Sequence, residues 1–174
     1  MKEYLIVDGY NIISAWPELK DIKEENLDYA RDKLVDIICE HAALTGQSTI
    51  IVFDAYQVKG GSEKREMKSS SVEVIYTKEG VTADMTIERL CAQIPKYRKV
   101  FVATSDRLQQ ETIWGKGAFR ISAMELYREV QQTKADHRRH NAPKLYSANR
   151  LEDQLPPEVR AALEKMRLAQ EDND

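Results

Sequence analysis

The sequence predicts an α/β fold built around a central, mostly parallel sheet of about five strands. Short apolar runs, each about as long as a buried strand, alternate with segments in which apolar residues recur at helical spacing. The connections are long enough for the right-handed crossovers that parallel strands require. The 174 residues are sufficient for one domain with its own core. We therefore expect a three-layer, Rossmann-like domain over residues 1–150, with a C-terminal helical extension over residues 151–174 packed on or beside it.

Five segments have the composition of strands, and three of them end on an aspartate. The first lies only a few residues from the start of the sequence, and its uninterrupted apolar run is typical of a strand buried on both faces. The five predicted strands are residues 4–8, 49–54, 72–77, 99–106 and 118–121.

Capping residues indicate where the predicted helices begin and end. Asn26 precedes a helix that ends at Gly46, and Thr82 precedes a helix after the third strand. Ser122 begins a long helix through a capping box. After the first strand, a loop through Pro17 is expected. Residues 55–71, which contain several cations, are expected to form a basic loop or a loop around a short helix.

Four aspartates are predicted to meet at one edge of the sheet. Asp8, Asp54 and Asp106 each end a strand, and Asp84 occupies the first turn of the helix after the third strand. Parallel strands present their carboxyl ends at one edge, where open α/β sheets bind ligands. Carboxylates gathered there repel one another, and a divalent cation such as Mg²⁺ relieves that repulsion. Any one of these acids alone could instead cap a turn or interact with a helix dipole, so the hypothesis depends on their convergence.

Motifs along nearly the whole chain resemble those of the YacP-like NYN ribonucleases, which belong to the PIN-like nuclease group. The motifs occur in the family's order, and together they are specific although each alone is weak. They are VDGYNII at residues 7–13, VFDA at 52–55, TAD at 82–84 with IE at 87–88, TSD at 104–106, and GKGAFRISAMEL at 115–126.

The resemblance implies a PIN/NYN fold and a metal-dependent endoribonuclease acting in bacterial mRNA decay, on RNA engaged by the ribosome. It implies that Mg²⁺ or Mn²⁺ is held by Asp8, Asp84 and Asp106. Asn11 would orient Asp8 or a bound water, and Ser105 would assist beside Asp106. Asp54 is an additional candidate at the same site. PIN-like chemistry of this kind leaves a 3′-hydroxyl and a 5′-phosphate.

An acidic pocket needs cations around its rim if it is to attract RNA. Two segments of the sequence supply them, and in each segment a solvated surface is the alternative interpretation. The candidate RNA-binding residues are Lys59, Lys64, Arg65 and Lys68 after the second strand, and Arg138, Arg139 and Lys144 near the end of the long helix.

Composition limits the classes of protein further. Acidic residues number 29 and Lys plus Arg 26, so the net charge of −3 neither supports nor excludes a nucleic-acid partner. No stretch approaches the ~20 apolar residues of a membrane span, and no signal peptide is evident. We therefore expect a cytoplasmic protein with no membrane partner. Cys39 and Cys91 occur singly and are expected to be reduced thiols.

Two other functions compete with an active nuclease. The first is an RNA- or ribosome-binding module with a vestigial PIN-like site, which the intact acids argue against. The second is a phosphohydrolase of the haloacid dehalogenase type, which also begins with a strand and an aspartate. That chemistry requires a second aspartate two residues further on, and Tyr10 occupies the position here. A metal-dependent endoribonuclease is therefore the leading hypothesis.

Overall fold

Strands and helices alternate in the computed structural model, which describes residues 3–54, 62–105 and 118–141. Within these residues the strands are β1 (Tyr4–Asp8), β2 (Ser48–Phe53), β3 (Lys64–Met67), β4 (Val72–Tyr76), β5 (Val100–Ala103) and β6 (Phe119–Ile121). The helices are α1 (Gly9–Ala15), α2 (Pro17–Glu25), α3 (Leu27–Thr45), α4 (Ala83–Gln93) and α5 (Ala123–Asn141). The predicted α/β class is confirmed.

The described strands form one sheet in the order β3-β4-β2-β1-β5-β6. β1 lies between β2 and β5 and is parallel to both, which explains why it is apolar on both faces. β4 and β6 extend the parallel array, whereas β3 runs antiparallel to β4 at one edge. The predicted mostly parallel sheet is confirmed, with a sixth strand in the described part of the chain.

Helices cover both faces of the sheet. Leu5 and Val7 of β1 pack in a core with α1, α2, α3 and α5. Ile6 points to the opposite face, as the alternation of a strand requires, and packs in a second core with α4. The two cores on either side of one sheet confirm the predicted three-layer arrangement.

The prediction of a loop through Pro17 after the first strand is wrong, because residues 9–15 form α1 and Pro17 begins α2. The side chain of Asp8 caps α1 by accepting a hydrogen bond from the backbone N–H of Asn11 at 3.3 Å. Pro17 occupies the first position of α2, where its missing N–H and fixed φ suit a helix start. Both signals were local, but an aspartate after a strand and a proline are equally common in loops.

The prediction that residues 55–71 form a loop, or a loop around a short helix, is wrong for residues 64–67, which form β3. The sequence Lys-Arg-Glu-Met lacks the apolar alternation of a strand, but an edge strand pairs on one side only and tolerates charged side chains. Residues 55–61 lie outside the described part of the chain. β3 exists because β4 offers it a partner, which local sequence does not reveal.

The predicted caps are confirmed at all four sites. The side chains of Asn26 and Thr82 each accept a backbone hydrogen bond from three residues further on, at 3.0 and 3.2 Å. Gly46 ends α3 in the left-handed conformation, with φ of 72°. Ser122 and Glu125 bond reciprocally to each other's backbone N–H groups, at 3.2 and 2.7 Å.

The described residues up to His140 belong to one compact unit. The predicted boundary at residue 150 and the predicted helical extension, residues 151–174, lie outside the described residues. Cys91 is buried and Cys39 half-buried, and neither forms a disulfide. No helix in the described ranges is long and apolar enough to cross a membrane.

Candidate active site

The carboxyl ends of β1, β2 and β4 and the N-terminal turn of α4 border a cleft of about 1490 Å³. Lys64, which was predicted to bind RNA, lines the cleft, as do the predicted catalytic and metal-site residues Asp8, Asn11, Asp54 and Asp84. The latter come from three distant parts of the sequence and share the cleft because β1, β2 and β4 run parallel to one another. The convergence expected from strand topology is therefore present for these residues.

Asp8 and Asn11 lie where β1 passes into α1. Asp8 is only 8% exposed, and its carboxylate accepts from the backbone N–H of Asn11. The side-chain oxygen of Asn11 instead accepts from the backbone N–H of Ser105, at 2.8 Å. The carboxamide thus joins the start of α1 to the chain just after β5, and the contact of Asn11 with Asp8 is made through its backbone. Ser105 is therefore held beside the same turn as Asp8.

Asp54 follows β2 and is half-buried. Its carboxylate accepts a hydrogen bond from the hydroxyl of Thr77 at 3.4 Å, and Thr77 itself is buried. The backbone N–H of Thr77 donates to the carbonyl of Phe53 at 3.0 Å, so the ends of β2 and β4 are fixed to each other. The position of Asp54 is consequently set by backbone pairing between two strands.

Asp84 is the second residue of α4. Thr82 caps this helix, so the N-terminal turn that carries Asp84 is well defined and places its carboxylate at the positive end of the helix dipole. Asp106, the remaining predicted ligand, lies outside the described residues, although Ser105 directly before it is described.

Within the described residues, no group of three His, Cys, Asp or Glu side chains is placed to hold a metal ion by itself. Mg²⁺ is usually held in proteins by one or two carboxylates, with waters and substrate phosphate oxygens as its other ligands. The hard oxygen donors of Asp8 and Asp84 suit Mg²⁺ or Mn²⁺ chemically. The ligand set, including Asp106, stays a prediction.

Three of the predicted RNA-binding cations lie on or just after β3, and each is paired with glutamate. Lys64 and Lys68 both bind Glu66, the second at 2.6 Å, and these contacts lower the pKa of Glu66 to about 2. Arg65 binds Glu63 at 2.8 Å. The positive charge expected along this segment is therefore largely offset by acids of the same segment.

The other predicted cations occur at the end of α5 or beyond it. Arg138 and Arg139 lie in the last turn of α5, where cations also interact favourably with the helix dipole, and both are exposed. Arg139 is 3.9 Å from Asp136, one turn earlier. Lys59 and Lys144 lie outside the described residues.

Several residues that line the cleft were not predicted for the site from the sequence, among them two tyrosines and an arginine. Tyr10, Arg31 and Tyr76 border it together with the acids. Tyr10 is two residues after Asp8 in the first motif, and Tyr76 ends a predicted parallel strand at the edge where the acids were expected, so both positions were signals that could have been used. The sequence around Arg31 contains no such signal, because only packing reveals which face of α3 borders the cleft.

The chain has clear sequence relatives. The family model of the YacP-like NYN domain matches residues 5–168. A protein of Bacillus subtilis (strain 168) named "Uncharacterized protein YacP" is 47% identical over 130 residues, which cover 74% of this chain and 75% of the relative.

Solved structures agree with the sequence relatives. The crystal structure of Rae1 (YacP) from Bacillus subtilis matches with a TM-score of 0.69 and 41% identity, covering 98% of each chain. A single-substitution variant of the same protein matches with a TM-score of 0.70 and 37% identity, covering 94% of this chain and 99% of that one. The chain is therefore a member of the YacP-like NYN domain family, whose domain indicates a nuclease-like, RNA-related function.

Proposed function

We propose that the chain is a metal-dependent endoribonuclease that hydrolyses phosphodiester bonds in mRNA. The observation that carries this proposal is the convergence of Asp8, Asp54 and Asp84 on one cleft, from three different parts of the sequence. Membership of a nuclease-like family supports it. A cleft lined by carboxylates suits the charge requirements of phosphodiester hydrolysis only when a cation offsets them.

Mg²⁺ or Mn²⁺ would be held by Asp8, Asp84 and Asp106, with Asp54 and Ser105 as additional candidates. When bound, the metal would lower the pKa of a water and offset the charge that develops on the phosphate. Asp8 suits a ligand role because the backbone N–H of Asn11 fixes its carboxylate, and a carboxylate accepts several contacts at once.

Hydrolysis here requires an in-line approach of water to phosphorus. The oxygen of water forms a bond to phosphorus while the bond to the 3′ oxygen breaks. The attacking water releases a proton to solvent and the departing 3′ oxygen takes one up, leaving a 5′-phosphate and a 3′-hydroxyl. The carboxylates of Asp8 and Asp84 would orient the water and accept its hydrogen bonds. Asn11 would serve as a positioning residue, since its carboxamide holds the backbone of Ser105 beside Asp8.

We extend the proposal to mRNA engaged by the ribosome in bacterial RNA decay, as the family resemblance implies. The ion-paired state of the β3 cations is compatible with this view, because a chain with net charge −3 has little electrostatic attraction of its own for free RNA. Mapping new 5′ ends on an mRNA, with and without translating ribosomes, tests the extension. Equal cleavage rates and sites in the two reactions would overturn it.

The central test is the substitution Asp84→Asn, which removes one charge and preserves shape. We expect RNA cleavage with Mg²⁺ or Mn²⁺ to fall by more than roughly 100-fold, since even outer partners of metal ligands cost 10- to 100-fold when removed. Asp21→Asn on the exposed surface of α2 is the matched control, because it makes the same chemical change away from the cleft. That control should cleave at the wild-type rate.

Two outcomes would contradict the proposal. One is an Asp84→Asn variant as active as wild type. The other is a wild-type protein that binds RNA without divalent ions and cuts none with Mg²⁺ or Mn²⁺, which would favour the RNA- or ribosome-binding module. Removal of metal with a chelator should abolish wild-type cleavage and leave the fold, measured by circular dichroism, unchanged.

A further inference from the structure

A row of aromatic rings borders part of the cleft. The ring of Phe53, fully buried at the end of β2, packs edge-on against Tyr10 with 5.2 Å between centroids. The same ring stacks on Tyr76 at 5.7 Å and an interplanar angle of 20°. Phe53 thus holds two tyrosines, one from α1 and one from β4, and both of them line the cleft.

A guanidinium group connects the two tyrosines. Arg31 of α3 donates to the hydroxyl of Tyr10 at 3.0 Å, and its guanidinium carbon lies 5.9 Å from the centre of the Tyr76 ring. Its side chain is 26% exposed and also binds Asp28, one turn earlier. The planar, permanently charged group is therefore held by the hydroxyl of one tyrosine over the ring of the other, an arrangement that lysine could not reproduce.

These groups lie beside the carboxylates of the proposed active site. Tyr10 is two residues after Asp8, and Tyr76 directly precedes Thr77, which donates to Asp54. A phosphodiester at the acids would therefore have one of its neighbouring nucleotides close to the aromatic rings. Aromatic and guanidinium planes are the surfaces on which proteins stack unpaired bases.

We propose that Tyr10, Arg31 and Tyr76 form a subsite that binds one unpaired nucleobase adjacent to the scissile phosphate. This inference specifies how the proposed nuclease binds its substrate, and it rests on that proposed function. The subsite requires single-stranded RNA at that position, because the faces of a base within a duplex are already covered by its neighbours. Base contacts of this kind tolerate sequence variation, since every base offers a flat face.

The test is an abasic scan, carried out in the Asp84→Asn protein so that RNA stays intact. A labelled single-stranded RNA of about 12 nucleotides is made with one base removed at each position in turn, and its binding is measured by fluorescence anisotropy. Loss of one particular base should weaken binding about 5- to 100-fold, as expected for a stacked base. The cleavage site mapped in the wild-type protein should lie next to that base.

Variants of Arg31 test whether the base found by the scan binds at the proposed subsite. Arg31→Met should bind intact RNA as weakly as the abasic RNA and should no longer distinguish the two. Arg31→Lys keeps the charge but lacks the planar guanidinium group. It should therefore keep the salt dependence of RNA binding and lose most of the difference in affinity between intact and abasic RNA. Lys33→Met, on the exposed side of α3 and away from the cleft, should retain the wild-type scan.

The results separate this inference from the proposed function. Cleavage by wild-type protein together with a flat abasic scan, or a scan unchanged in Arg31→Met, would overturn the subsite and leave the nuclease intact. No cleavage of any RNA would overturn the nuclease instead. Circular dichroism and thermal unfolding of both Arg31 variants verify that a lost response does not reflect a lost fold.

Discussion

The two sides of the cleft, at β3 and at α3, hold positive charge in different ways. At β3, Lys64 and Lys68 share Glu66, whose pKa they lower to about 2, so this acid is fully ionised in any neutral assay. At α3, Arg31 has one exposed acidic partner, but it also donates to the hydroxyl of Tyr10 and lies over the ring of Tyr76. The first side is a network of ion pairs between mostly exposed cations and half-buried glutamates, and the second is a half-buried cation that lies over a tyrosine ring.

The contrast indicates that the partners of a cation decide what it can recognise. An exposed lysine bound to glutamate must give up that contact before it meets a phosphate, and surface pairs of this kind contribute little to either affinity or stability. An arginine held against rings is already oriented, so less conformational entropy is lost when a base stacks on it. The cation-rich segment of the sequence is thus the weaker candidate for specific recognition.

The largest expected effect is a loss of stability in Gly9→Ala, which disturbs the aromatic packing on the α3 side of the cleft. A Cβ atom at Gly9 would lie 2.3 Å from Cε1 of the buried Phe53 ring, so the ring that supports Tyr10 and Tyr76 would have to move. We expect the free energy of unfolding to fall by about 1–3 kcal/mol, as in other overpacked cores. Urea denaturation followed by circular dichroism measures this.

A second glycine provides the control. Gly46 has φ of 72°, and nothing lies within 4 Å of the position that a Cβ atom would take, so Gly46→Ala should lose about 1 kcal/mol through backbone strain alone. RNA binding by Gly46→Ala should be unchanged, whereas Gly9→Ala should also lose its response to the abasic RNA. A Gly9→Ala protein with wild-type stability and base sensitivity would show that Phe53 does not support the subsite.

The next effect concerns the β3 side and follows from removing its shared acid. Glu66→Gln releases both Lys64 and Lys68, so RNA binding should tighten by a few fold and its log-log salt slope should steepen by roughly one unit. Titrations at several salt concentrations measure both quantities. Glu24→Gln, an exposed carboxylate of α2 that does not line the cleft, gives the effect of net charge alone. Equal slopes for the two variants would mean that Glu66 does not mask the lysines.

The smallest expected effect is a pH dependence of stability that arises at α3 and not at β3. His41 of α3 is fully buried, and burial lowers its pKa, with Lys134 adding to the effect. Because the unfolded chain then binds the extra proton, stability should decrease as pH falls below 6.5, by up to about 0.7 kcal/mol between pH 7 and 6. Urea denaturation at the two pH values measures the difference, and His41→Leu should abolish it.

The titrating groups near His41 limit the pH range in which this measurement reports on His41 alone. Glu129 of α5 lies 3.9 Å from His41, but burial raises the pKa of that carboxyl while it lowers the pKa of His41, so both shifts oppose an ion pair. The raised pKa of Glu129 makes stability increase as pH falls toward the usual carboxyl value of 4.5, which is opposite to the effect of His41. The exposed His137→Gln variant should keep the wild-type pH dependence. The pairs of Glu66 should not respond between pH 6 and 7, because the pKa of Glu66 is about 2.

Strands buried on both faces were readily predicted from sequence. The central strand β1 is an uninterrupted apolar run, and its carboxyl-terminal aspartate could be assigned to the correct edge once the sheet was expected to be parallel. The helix starts at Asn26 and Thr82 were equally accessible, because a cap is a local hydrogen bond between residues three apart. Such features depend on neighbours in sequence.

Features that depend on distant partners were not predictable. β3 exists because it pairs with β4, and its charged residues carry no strand pattern of their own. The side chain of Asn11 bonds to Ser105, 94 residues away, where the sequence suggested only a role beside Asp8. No local pattern distinguishes an arginine that borders the cleft from one on a solvated face, so Arg31 was missed.

The α/β class, the parallel central strands and the convergence of Asp8, Asp54 and Asp84 followed from the order of residues, because periodicity and strand parallelism fix which ends meet. Which cations are offset by acids, and which lie against rings, became apparent only from the folded chain. The β3 pairs join residues two apart, which share a face only because pairing with β4 extends the segment as a strand. Arg31 of α3 meets α1 and β4 only through packing between elements.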